Sequence, residues 1–467
     1  MTKLVRELES SIVEKFASQI RGEVILPRHE RYHEARKLYN AMIDKRPGMI
    51  VRCTDVADVI YAVNFGRDNG LLVAIRSGGH NGGGLGSCDG GMVIDLSGIK
   101  YVIVDQGKRT VRVGGGTTLG EIDHATYPFG LAVPAGIIST TGIGGLTLGG
   151  GVGHLSRKYG LTIDNLLEAE VVLADGSFVV ANAEQHADLF WALRGGGGNF
   201  GVVTSFTFRA HPVKEVYAGP TLWPVEQTPE IMEWYHEFIE NAPDELSGFF
   251  AILTIPGPPF PEFLHHKKFC GIVWCYAGDM AKAEEVFKPI RAKAPVFEHA
   301  GPMPYPFLQQ LFDGLLPPGL QWYWRADFFD ELGPEVRDKH LEFGNKIPTP
   351  LSQMHLYPIS GAASRVASDA TPWAYRDARY AGVIVGVDPL PANAERITSW
   401  CKEYWEALHP FSSGGAYLNF IMNEGQDRIK ASYGKNYDRL TAVKQKYDPD
   451  NFFRVNQNIP AAVKEFA

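Results

Sequence analysis

The sequence has few cysteines and no long apolar run. Five cysteines are scattered over 467 residues, and this odd number is typical of reduced thiols rather than of a disulfide framework. No apolar stretch approaches the ~20 residues that a membrane-spanning helix needs. The charged, amphipathic N-terminus lacks the apolar core and cleavage site of a signal peptide. We therefore expect a cytoplasmic protein that does not bind a membrane.

Positive charge is also scarce. The net charge is −8, and no cluster of lysine and arginine forms a nucleic-acid footprint, so we expect no nucleic-acid partner. No histidine or cysteine spacing fits a metal site, and the pair His265-His266 reads as an exposed loop feature. Small molecules are the expected partners. The sequence leaves the oligomeric state open.

Glycine, in contrast, is abundant, with 51 residues. Three clusters stand out, at 78–84, 136–153 and 194–201. Glycine lets backbone N–H groups turn toward an anion and lets the chain lie against a flat ligand. A single cluster is equally consistent with tight turns in a glycine-rich β protein. Three together indicate a long ligand with a phosphate-rich middle and flat ends.

A Rossmann dinucleotide-binding fingerprint is one explanation for these glycines. Only residues 196–201, Gly-Gly-Gly-Asn-Phe-Gly, match its G-x-G-x-x-G spacing. They precede an apolar run at 202–208 that reads as a strand, whereas the fingerprint requires a helix to begin there. We therefore reject it and favour loops whose backbone N–H groups hold the phosphates.

The first cluster contains one imidazole, that of His80. It follows an apolar run at 71–75 that predicts a short buried strand. A histidine held among glycines at the end of a strand is well placed for cofactor chemistry, and we expect it to carry a flavin. The alternatives are a non-covalent contact with the cofactor and an ordinary loop histidine.

Motifs along nearly the whole chain carry a family resemblance. Residues 76–81 read Arg-Ser-Gly-Gly-His-Asn, and residues 157–165 read Arg-Lys-Tyr-Gly-Leu-Thr-Ile-Asp-Asn. Near the C-terminus, residues 417–419 read Tyr-Leu-Asn and residues 447–454 read Tyr-Asp-Pro-Asp-Asn-Phe-Phe-Arg. In this order the motifs resemble those of the berberine bridge enzyme-like oxidases, flavoproteins of the vanillyl-alcohol oxidase superfamily.

The resemblance implies an α+β protein with FAD as cofactor. A PCMH-type FAD-binding domain would form from both chain ends, at 1–213 and 411–467. A central substrate domain at 214–410 would contain an antiparallel sheet covered by helices. The family pattern implies a bond from His80 to the 8α carbon of the flavin. The residues assigned to the cofactor are Arg76, Ser77, Gly78, Gly79, His80, Asn81, Gly86, Thr140, Thr141, Gly142, Gly144, Gly145, Gly153, His154, Ile163, Gly201, Val203, Tyr417, Asn419 and Asn456.

One stretch departs from the family pattern. Many members attach the flavin a second time, through a cysteine in Cys-Pro-Thr-Val-Gly, but residues 138–142 here read Ile-Ser-Thr-Thr-Gly. Ile138 stands where that thiol would be, so we expect a single link through His80 and no cysteinyl link. This departure weakens an assignment as an oligosaccharide oxidase. Thr141 resembles the family's oxygen gate; its size permits oxygen access, whereas its hydroxyl leaves that inference open.

Strand periodicity bears on the substrate side. Strands are predicted at 248–255, 268–277, 320–329, 351–359 and 380–387, and the last three alternate in character. If helices cover the apolar face, the polar face looks at the flavin. That face would carry Gln321, Tyr323, Arg325 and Asp327 opposite Trp322, Trp324 and Phe328, together with Gln353, His355 and Tyr357, and the space left by Gly382 and Gly386.

The alternative is that this polar face is simply solvated. Tyr417 and Asn419 alternate onto one face if their segment is a strand, and ordinary packing is the alternative for the tyrosine. Oxidation by hydride transfer needs a base for the hydroxyl or amine proton unless the amine is already neutral. The candidates for this role are Tyr323, His355, Tyr357 and Tyr417; His154 fits a cofactor role better.

The function expected from these features is that of an FAD-dependent oxidase. It would transfer a hydride from an alcohol, an amine or a related C–H bond of a small metabolite to FAD, and electrons from there to O2, giving H2O2. One alternative is a dehydrogenase of the same fold that uses another acceptor. A non-catalytic flavin-binding protein is a further alternative, and the substrate itself cannot be named from the sequence.

Overall fold

The structure, a computed structural model, describes residues 2–461. Strands of the first part are β1 (Glu23–Ile25), β2 (Met49–Arg52), β3 (Val73–Arg76), β4 (Met92–Asp95), β5 (Val102–Asp105), β6 (Thr110–Gly114), β7 (Leu131–Ala132), β8 (Leu166–Val172), β9 (Phe178–Asn182), β10 (Val202–Arg209) and β11 (His211–Pro212). Those that follow are β12 (Glu215–Pro224), β13 (Leu246–Thr254), β14 (Lys268–Tyr276), β15 (Phe297–Glu298), β16 (Gly301–Pro304), β17 (Gln321–Phe329), β18 (Gln353–Pro358) and β19 (Tyr380–Asp388).

Helices lie between these strands and after them. They are α1 (Ser10–Ala17), α2 (Tyr32–Ala35), α3 (Val56–Asp68), α4 (Leu119–Thr126), α5 (Ile143–Gly149), α6 (Ser156–Tyr159), α7 (Ala187–Leu193), α8 (Thr228–Asn241), α9 (Ala283–Arg291), α10 (Tyr305–Gln309), α11 (Pro334–Asn345), α12 (Ala394–Leu408), α13 (Gln426–Tyr433) and α14 (Tyr437–Tyr447).

Two sheets border the first and third glycine clusters, and the second cluster follows β7, which pairs with β11. In the first sheet, of order β1-β2-β4-β3, the strands β2, β4 and β3 are parallel, and α3 connects β2 to β3. The carboxylate of Asp55 caps α3 by accepting a hydrogen bond from the N–H of Asp58. The second sheet is antiparallel, with order β5-β6-β10-β8-β9. The first glycine cluster begins where β3 ends, so the sheet fixes the position of the loop around His80.

An antiparallel sheet forms the centre of the chain, in the order β15-β12-β14-β13-β18-β19-β17, with β16 beside β12. All the central strands predicted from the sequence are present, and the predicted α+β fold with an antiparallel central sheet is confirmed. Helices α8, α11 and α12 cover one face. The opposite face packs toward the glycine-rich sheets, because its side chains belong to the same apolar core as theirs.

Strand β12 has no counterpart in the sequence-based predictions. Its middle contains Gly219 and Pro220, and proline argues against a central strand because it cannot donate to the ladder. The structure accommodates Pro220 at the point where one neighbour of β12 changes, from β16 at residues 215–218 to β15 at 221–222. At Gly219, φ is +138° and a Cβ would meet the carbonyl oxygen of His299 at 1.9 Å, so glycine is required.

Buried cations join the parts of the chain. The Arg157 guanidinium, beside the second glycine cluster, donates to Ser360 Oγ at 2.9 Å and to the carbonyl of Ala242 at 3.1 Å. The Lys444 ammonium, on α14, donates to the carbonyl of Asn199 at 2.8 Å and pairs with Asp448 at 2.6 Å. The C-terminal segment thereby returns to the third glycine cluster.

All five cysteines are free and buried. Burial raises the pKa of each thiol, to about 12 for Cys88, Cys270 and Cys275, and in the same direction for Cys53 and Cys401. Each sulfur is therefore held as a thiol. Within residues 2–461, no helix is long and apolar enough to cross a membrane.

Candidate active site

A cavity of about 340 Å³ lies between the glycine clusters and the central sheet. Residues from all three clusters line it, as do the C-terminal segments at 417–420 and 455–457. The far wall comes from β17, β18 and β19 and from the segment at 310–318, which carries Phe312 and Leu316. The cavity therefore has a glycine-rich side and an aromatic side.

His80 lies in the wall of the cavity between two neighbours. The Tyr39 ring stacks on the imidazole, with centroids 3.9 Å apart and an interplanar angle of 18°. Nε2 of His80 lies 3.1 Å from the hydroxyl oxygen of Thr140. Burial lowers the pKa of His80 to about 4, so the ring is neutral at physiological pH. No described residue bonds to Nδ1, which leaves that nitrogen available.

Glycine is required where the loops approach one another. A Cβ on Gly78 would meet the Gly142 nitrogen at 2.3 Å, and one on Gly149 would meet the Asn419 amide at 2.2 Å. At Gly145 and Gly198, in contrast, a Cβ would have no protein atom within 4 Å. Both positions line the cavity, so they present bare backbone to a ligand.

Several polar atoms beside the cavity are buried without a partner. The unpartnered donors are Arg76 Nη1 and the indole Nε1 atoms of Trp322 and Trp324; Tyr433 OH and Asn456 Oδ1 also lack a hydrogen bond to any described residue. Another nitrogen of Arg76, Nη2, pairs with Asp95 at 2.8 Å. Because buried polar atoms normally have partners, these atoms indicate a bound polar ligand.

Most residues that the sequence assigned to a cofactor line this cavity. They are Arg76, Ser77, Gly78, Gly79, His80, Asn81, Gly86, Thr141, Gly142, Gly144, Gly145, Gly201, Val203, Tyr417, Asn419 and Asn456.

Four of the assigned residues do not line it. Thr140 reaches it only through His80. Gly153 packs against the carbonyl oxygen of Ala135, where a Cβ would lie at 1.8 Å. Ile163 is fully buried in the apolar core, and His154 is buried beside Phe249, which lowers the pKa of His154 to about 3. The sequence pattern did not separate cavity contacts from core packing at these positions.

The face prediction for β17 is wrong. Trp322 and Trp324 line the cavity, whereas Tyr323 packs against the helix-covered face, where the Lys402 ammonium lies 5.8 Å from its ring centroid. Arg325 pairs with Glu424 at 2.6 Å on that same side. Both faces of the sheet are buried, so polarity alone did not reveal which one borders the cavity. Tyr323 is consequently removed from the catalytic candidates.

The prediction for the glycines of β19 fails for a similar reason. A Cβ on Gly386 would meet Ile397 at 2.8 Å and Cys401 at 3.0 Å, both on α12, so this glycine admits the helix. Val383 and Val385 of the other face line the cavity.

Strand β18 presents the polar face that its alternation predicts. Gln353, His355 and Tyr357 line the cavity, and Nδ1 of His355 lies 2.9 Å from the hydroxyl of Tyr357. Burial lowers the pKa of His355 to about 3 and raises that of Tyr357. Both side chains are therefore neutral at physiological pH.

Tyr417 and Asn419 share the cavity wall, but not through strand alternation. Residues 418–420 form a turn of 3₁₀ helix, which corrects the expected strand. The Asn419 amide donates to the Tyr417 oxygen at 2.8 Å, and the N–H of Gly151 donates to the same oxygen at 2.9 Å. The pair therefore connects the C-terminal segment to the second glycine cluster.

Comparisons with known proteins agree with this architecture. A model of the FAD binding domain matches residues 47–182, and one described as berberine and berberine like matches residues 416–460. An FAD-linked oxidoreductase of Dictyostelium discoideum is 35% identical over 96% of this chain and 97% of its own length. The chain belongs to the berberine bridge enzyme-like family of FAD-linked oxidoreductases.

Other relatives of this flavoprotein extend the comparison. The (R)-6-hydroxynicotine oxidase of Paenarthrobacter nicotinovorans is 28% identical, covering 94% of this chain and 97% of the relative. The solved 6-hydroxy-D-nicotine oxidase of Arthrobacter nicotinovorans superposes with a TM-score of 0.83 at 26% identity, over 94% and 98% of the two chains. Wild-type BBE-like 1 of Physcomitrella patens superposes with a TM-score of 0.86 at 25% identity, over 97% and 99%.

The cavity of this FAD-linked oxidoreductase fits its cofactor. Bare glycine backbone suits the diphosphate, and the unpartnered polar atoms of Arg76, Tyr433 and Asn456 suit the cofactor's polar groups. Within residues 2–461, no group of three histidine, cysteine or acidic side chains is arranged to hold a metal ion.

The sequence-based reasoning missed most of the aromatic side. Tyr39 precedes every glycine cluster and carries no motif, and Phe312, Leu316 and Phe420 lie in segments without strand periodicity. Residues 321–328 did contain a usable signal, namely the Trp-x-Trp pair, which was assigned to the wrong face.

Proposed function

We propose that the protein is an FAD-dependent oxidase that oxidises an alcohol or amine of a small metabolite. Overall, the substrate and O2 would give the carbonyl or imine product and H2O2. The observation that carries the proposal is a single cavity that combines His80, bare glycine backbone and the His355–Tyr357 pair. Bound FAD supplies the hydride acceptor.

Covalent attachment through His80 is part of the proposal. Support comes from the neutral imidazole and from the contact between Nε2 and Thr140, because a ring whose Nε2–H donates to that hydroxyl has on Nδ1 the lone pair that a new bond needs. The Tyr39 ring restricts rotation of the imidazole by stacking on it. Ile138, which stands where many family members carry a second linking cysteine, lines the cavity with an unreactive side chain.

The proton acceptor in this proposal is His355. In the tautomer whose Nδ1–H donates to the Tyr357 oxygen, Nε2 carries the lone pair that would accept the proton of the substrate hydroxyl. Tyr357 orients the ring, and Tyr417 remains a second candidate because it also lines the cavity.

Substitution of His80 by alanine tests the attachment. Wild-type protein should stay yellow after acid precipitation, whereas the pellet of His80→Ala should be colourless, with flavin released into the supernatant. His124→Ala, at an exposed position of α4, serves as the matched control and should retain the colour. Acid-stable flavin in His80→Ala would contradict the histidyl link.

Flavin bleaching tests the activity itself. Anaerobic addition of alcohols and amines should reduce the bound flavin, and admission of O2 should restore its colour with formation of H2O2. Reduction followed by slow reoxidation would identify a dehydrogenase instead. His355→Gln should slow flavin reduction by about 10²–10⁴-fold while leaving flavin content unchanged. An unchanged reduction rate would remove His355 from the mechanism.

A further inference from the structure

The aromatic side of the cavity, which we call the substrate half, restricts the chemistry of its ligand. It comprises Phe312, Leu316, Trp322, Trp324, Gln353, His355, Tyr357, Val383, Val385 and Phe420.

No described residue of the substrate half carries a charge at physiological pH. His355 and Tyr357 are its ionisable members, and both are neutral. The charged residues of β17, Arg325 and Asp327, face the helices and are paired there with Glu424 and with Arg428. A carboxylate or ammonium group in the substrate half would consequently lie buried without a counter-ion, which is strongly unfavourable.

Hydrogen-bonding capacity is also limited. Beyond the His355–Tyr357 pair, the substrate half offers the Gln353 amide and two indole N–H groups, and neither indole has an acceptor among the described residues. The two indole rings lie 5.9 Å apart at 80°, and Val383 and Val385 add apolar surface. This set suits a flat ring with few oxygens, since an oligosaccharide would leave most of its hydroxyls unpaired.

We propose that the substrate is an uncharged aromatic or alicyclic alcohol with one further oxygen, such as an ether, that accepts a hydrogen bond from an indole. The inference rests on the proposed function. In the reaction the carbinol C–H and O–H bonds break and a C=O bond forms. The hydride goes to FAD, the hydroxyl proton goes to His355, and O2 becomes H2O2 as the electron acceptor.

Matched probe compounds test this inference on the holoenzyme. Anaerobic flavin reduction would be followed with 4-methoxybenzyl alcohol, with its carboxylate and aminomethyl counterparts of similar size, with cyclohexylmethanol and with cellobiose. The neutral alcohols should reduce the flavin at least about 100-fold more efficiently than the charged compounds, because a buried unpaired charge costs several kcal/mol. The methoxy compound should also reduce the flavin more efficiently than 4-methylbenzyl alcohol does, because only the methoxy oxygen can accept a hydrogen bond from an indole.

A second test changes the charge of the protein instead of the charge of the compound. Gln353→Glu adds a carboxylate to the substrate half with almost no change in shape, and it should shift selectivity toward the aminomethyl compound by at least about tenfold. Gln185→Glu, exposed and outside the cavity lining, is the matched control and should leave selectivity unchanged.

The outcomes separate the two proposals. Efficient reduction by the charged compounds or by cellobiose would overturn the inferred substrate class and leave the oxidase intact. Unchanged selectivity in Gln353→Glu would also overturn it, because the substrate would then bind elsewhere. Flavin that no compound reduces would overturn the proposed function itself.

Discussion

Asp123 on α4 is a carboxyl group buried without a charge partner. Its side chain is 3% exposed, and its Oδ2 atom has no hydrogen-bond partner among the described residues. Burial raises the pKa of Asp123 to about 7, against the smaller opposing effect of Gln309. The folded protein therefore binds this proton more tightly than the unfolded chain, whose ordinary aspartate pKa is 3.8.

The consequence is that Asp123 reduces stability as pH rises. The loss in free energy of unfolding grows between about pH 4 and pH 7 and is constant at higher pH. Its upper limit is roughly 4 kcal/mol, since each pKa unit corresponds to about 1.4 kcal/mol. Asp123→Asn should remove it, so the gain in free energy of unfolding should increase over that interval. Chemical denaturation at several pH values measures this gain, and Asp330→Asn, at an exposed position, serves as the control. A pH-independent difference would contradict the buried acid.

The His355 side chain gives the reaction its expected pH dependence. The pKa of about 3 means that the imidazole stays neutral until the solution is strongly acidic. The rate of flavin reduction by a neutral alcohol should accordingly be flat from about pH 5 to pH 8. Stopped-flow measurements would reveal this plateau, and a sharp rise near pH 6.5 would indicate an ordinary, solvated histidine.

At the scale of elements, strand β17 separates the substrate half from a buried ionic network. Arg325 pairs with Glu424 at 2.6 Å, and His409 contacts Asp327 at 3.0 Å. The Arg325 guanidinium lies 4.6 Å from the ring centroid of Trp405 on α12. Glu424 follows the cavity-lining segment at 417–420, so the network fixes that segment against the strand that carries both tryptophans.

Removal of the Glu424 charge tests how much the ion pair with Arg325 stabilises the fold. Glu424→Gln leaves Arg325 buried without a full counter-charge, and we expect a loss of about 3 kcal/mol in the free energy of unfolding. The same substitution at Glu342, on the exposed surface of α11 beside Lys339 and Lys346, should change little. Chemical denaturation measures both losses. Equal losses in the free energy of unfolding at the two positions would show that the buried network adds no more stability than a surface ion pair.

The sequence predicted five strands of the central sheet, β13, β14, β17, β18 and β19, but neither β12 nor the orientation of the sheet. Alternation separated Tyr323 from Trp322 and Trp324 correctly, yet it could not show which face lines the cavity, because helices bury one face and the glycine-rich part buries the other. The partners of Arg325 and Asp327 lie about a hundred residues later in the chain, at 424 and 428. The glycine-rich loops could be predicted from the sequence because their glycines stand close together in the chain. Contacts between distant segments could not, because neither partner marks the position of the other.

At the scale of the whole molecule, the cavity is where separate parts of the chain meet. The glycine clusters, the central sheet and the C-terminal segment all line one cavity. Arg157 and Lys444 add direct links between these parts. A ligand that fills the cavity contacts every part at once and binds only the folded chain, so it stabilises the assembly as a unit.

This arrangement predicts how stability depends on FAD. In His80→Ala, where FAD would bind reversibly, the melting temperature should rise with FAD concentration, corresponding to about 2.7 kcal/mol at 100 times Kd. Wild-type protein with attached flavin should show no such dependence. Thermal scans over a series of FAD concentrations distinguish the two, and insensitivity of His80→Ala would mean that FAD does not bridge the parts.

The five sequestered sulfurs have a consequence for the working life of the catalyst. An oxidase of the proposed type releases peroxide beside its own polypeptide, and peroxide attacks thiolates rather than protonated thiols. Because every cysteine is enclosed and kept protonated, successive turnovers should leave the sulfurs chemically intact. The resistance of the enzyme to peroxide would then result from the packing around its cysteines and would not need a dedicated scavenging group.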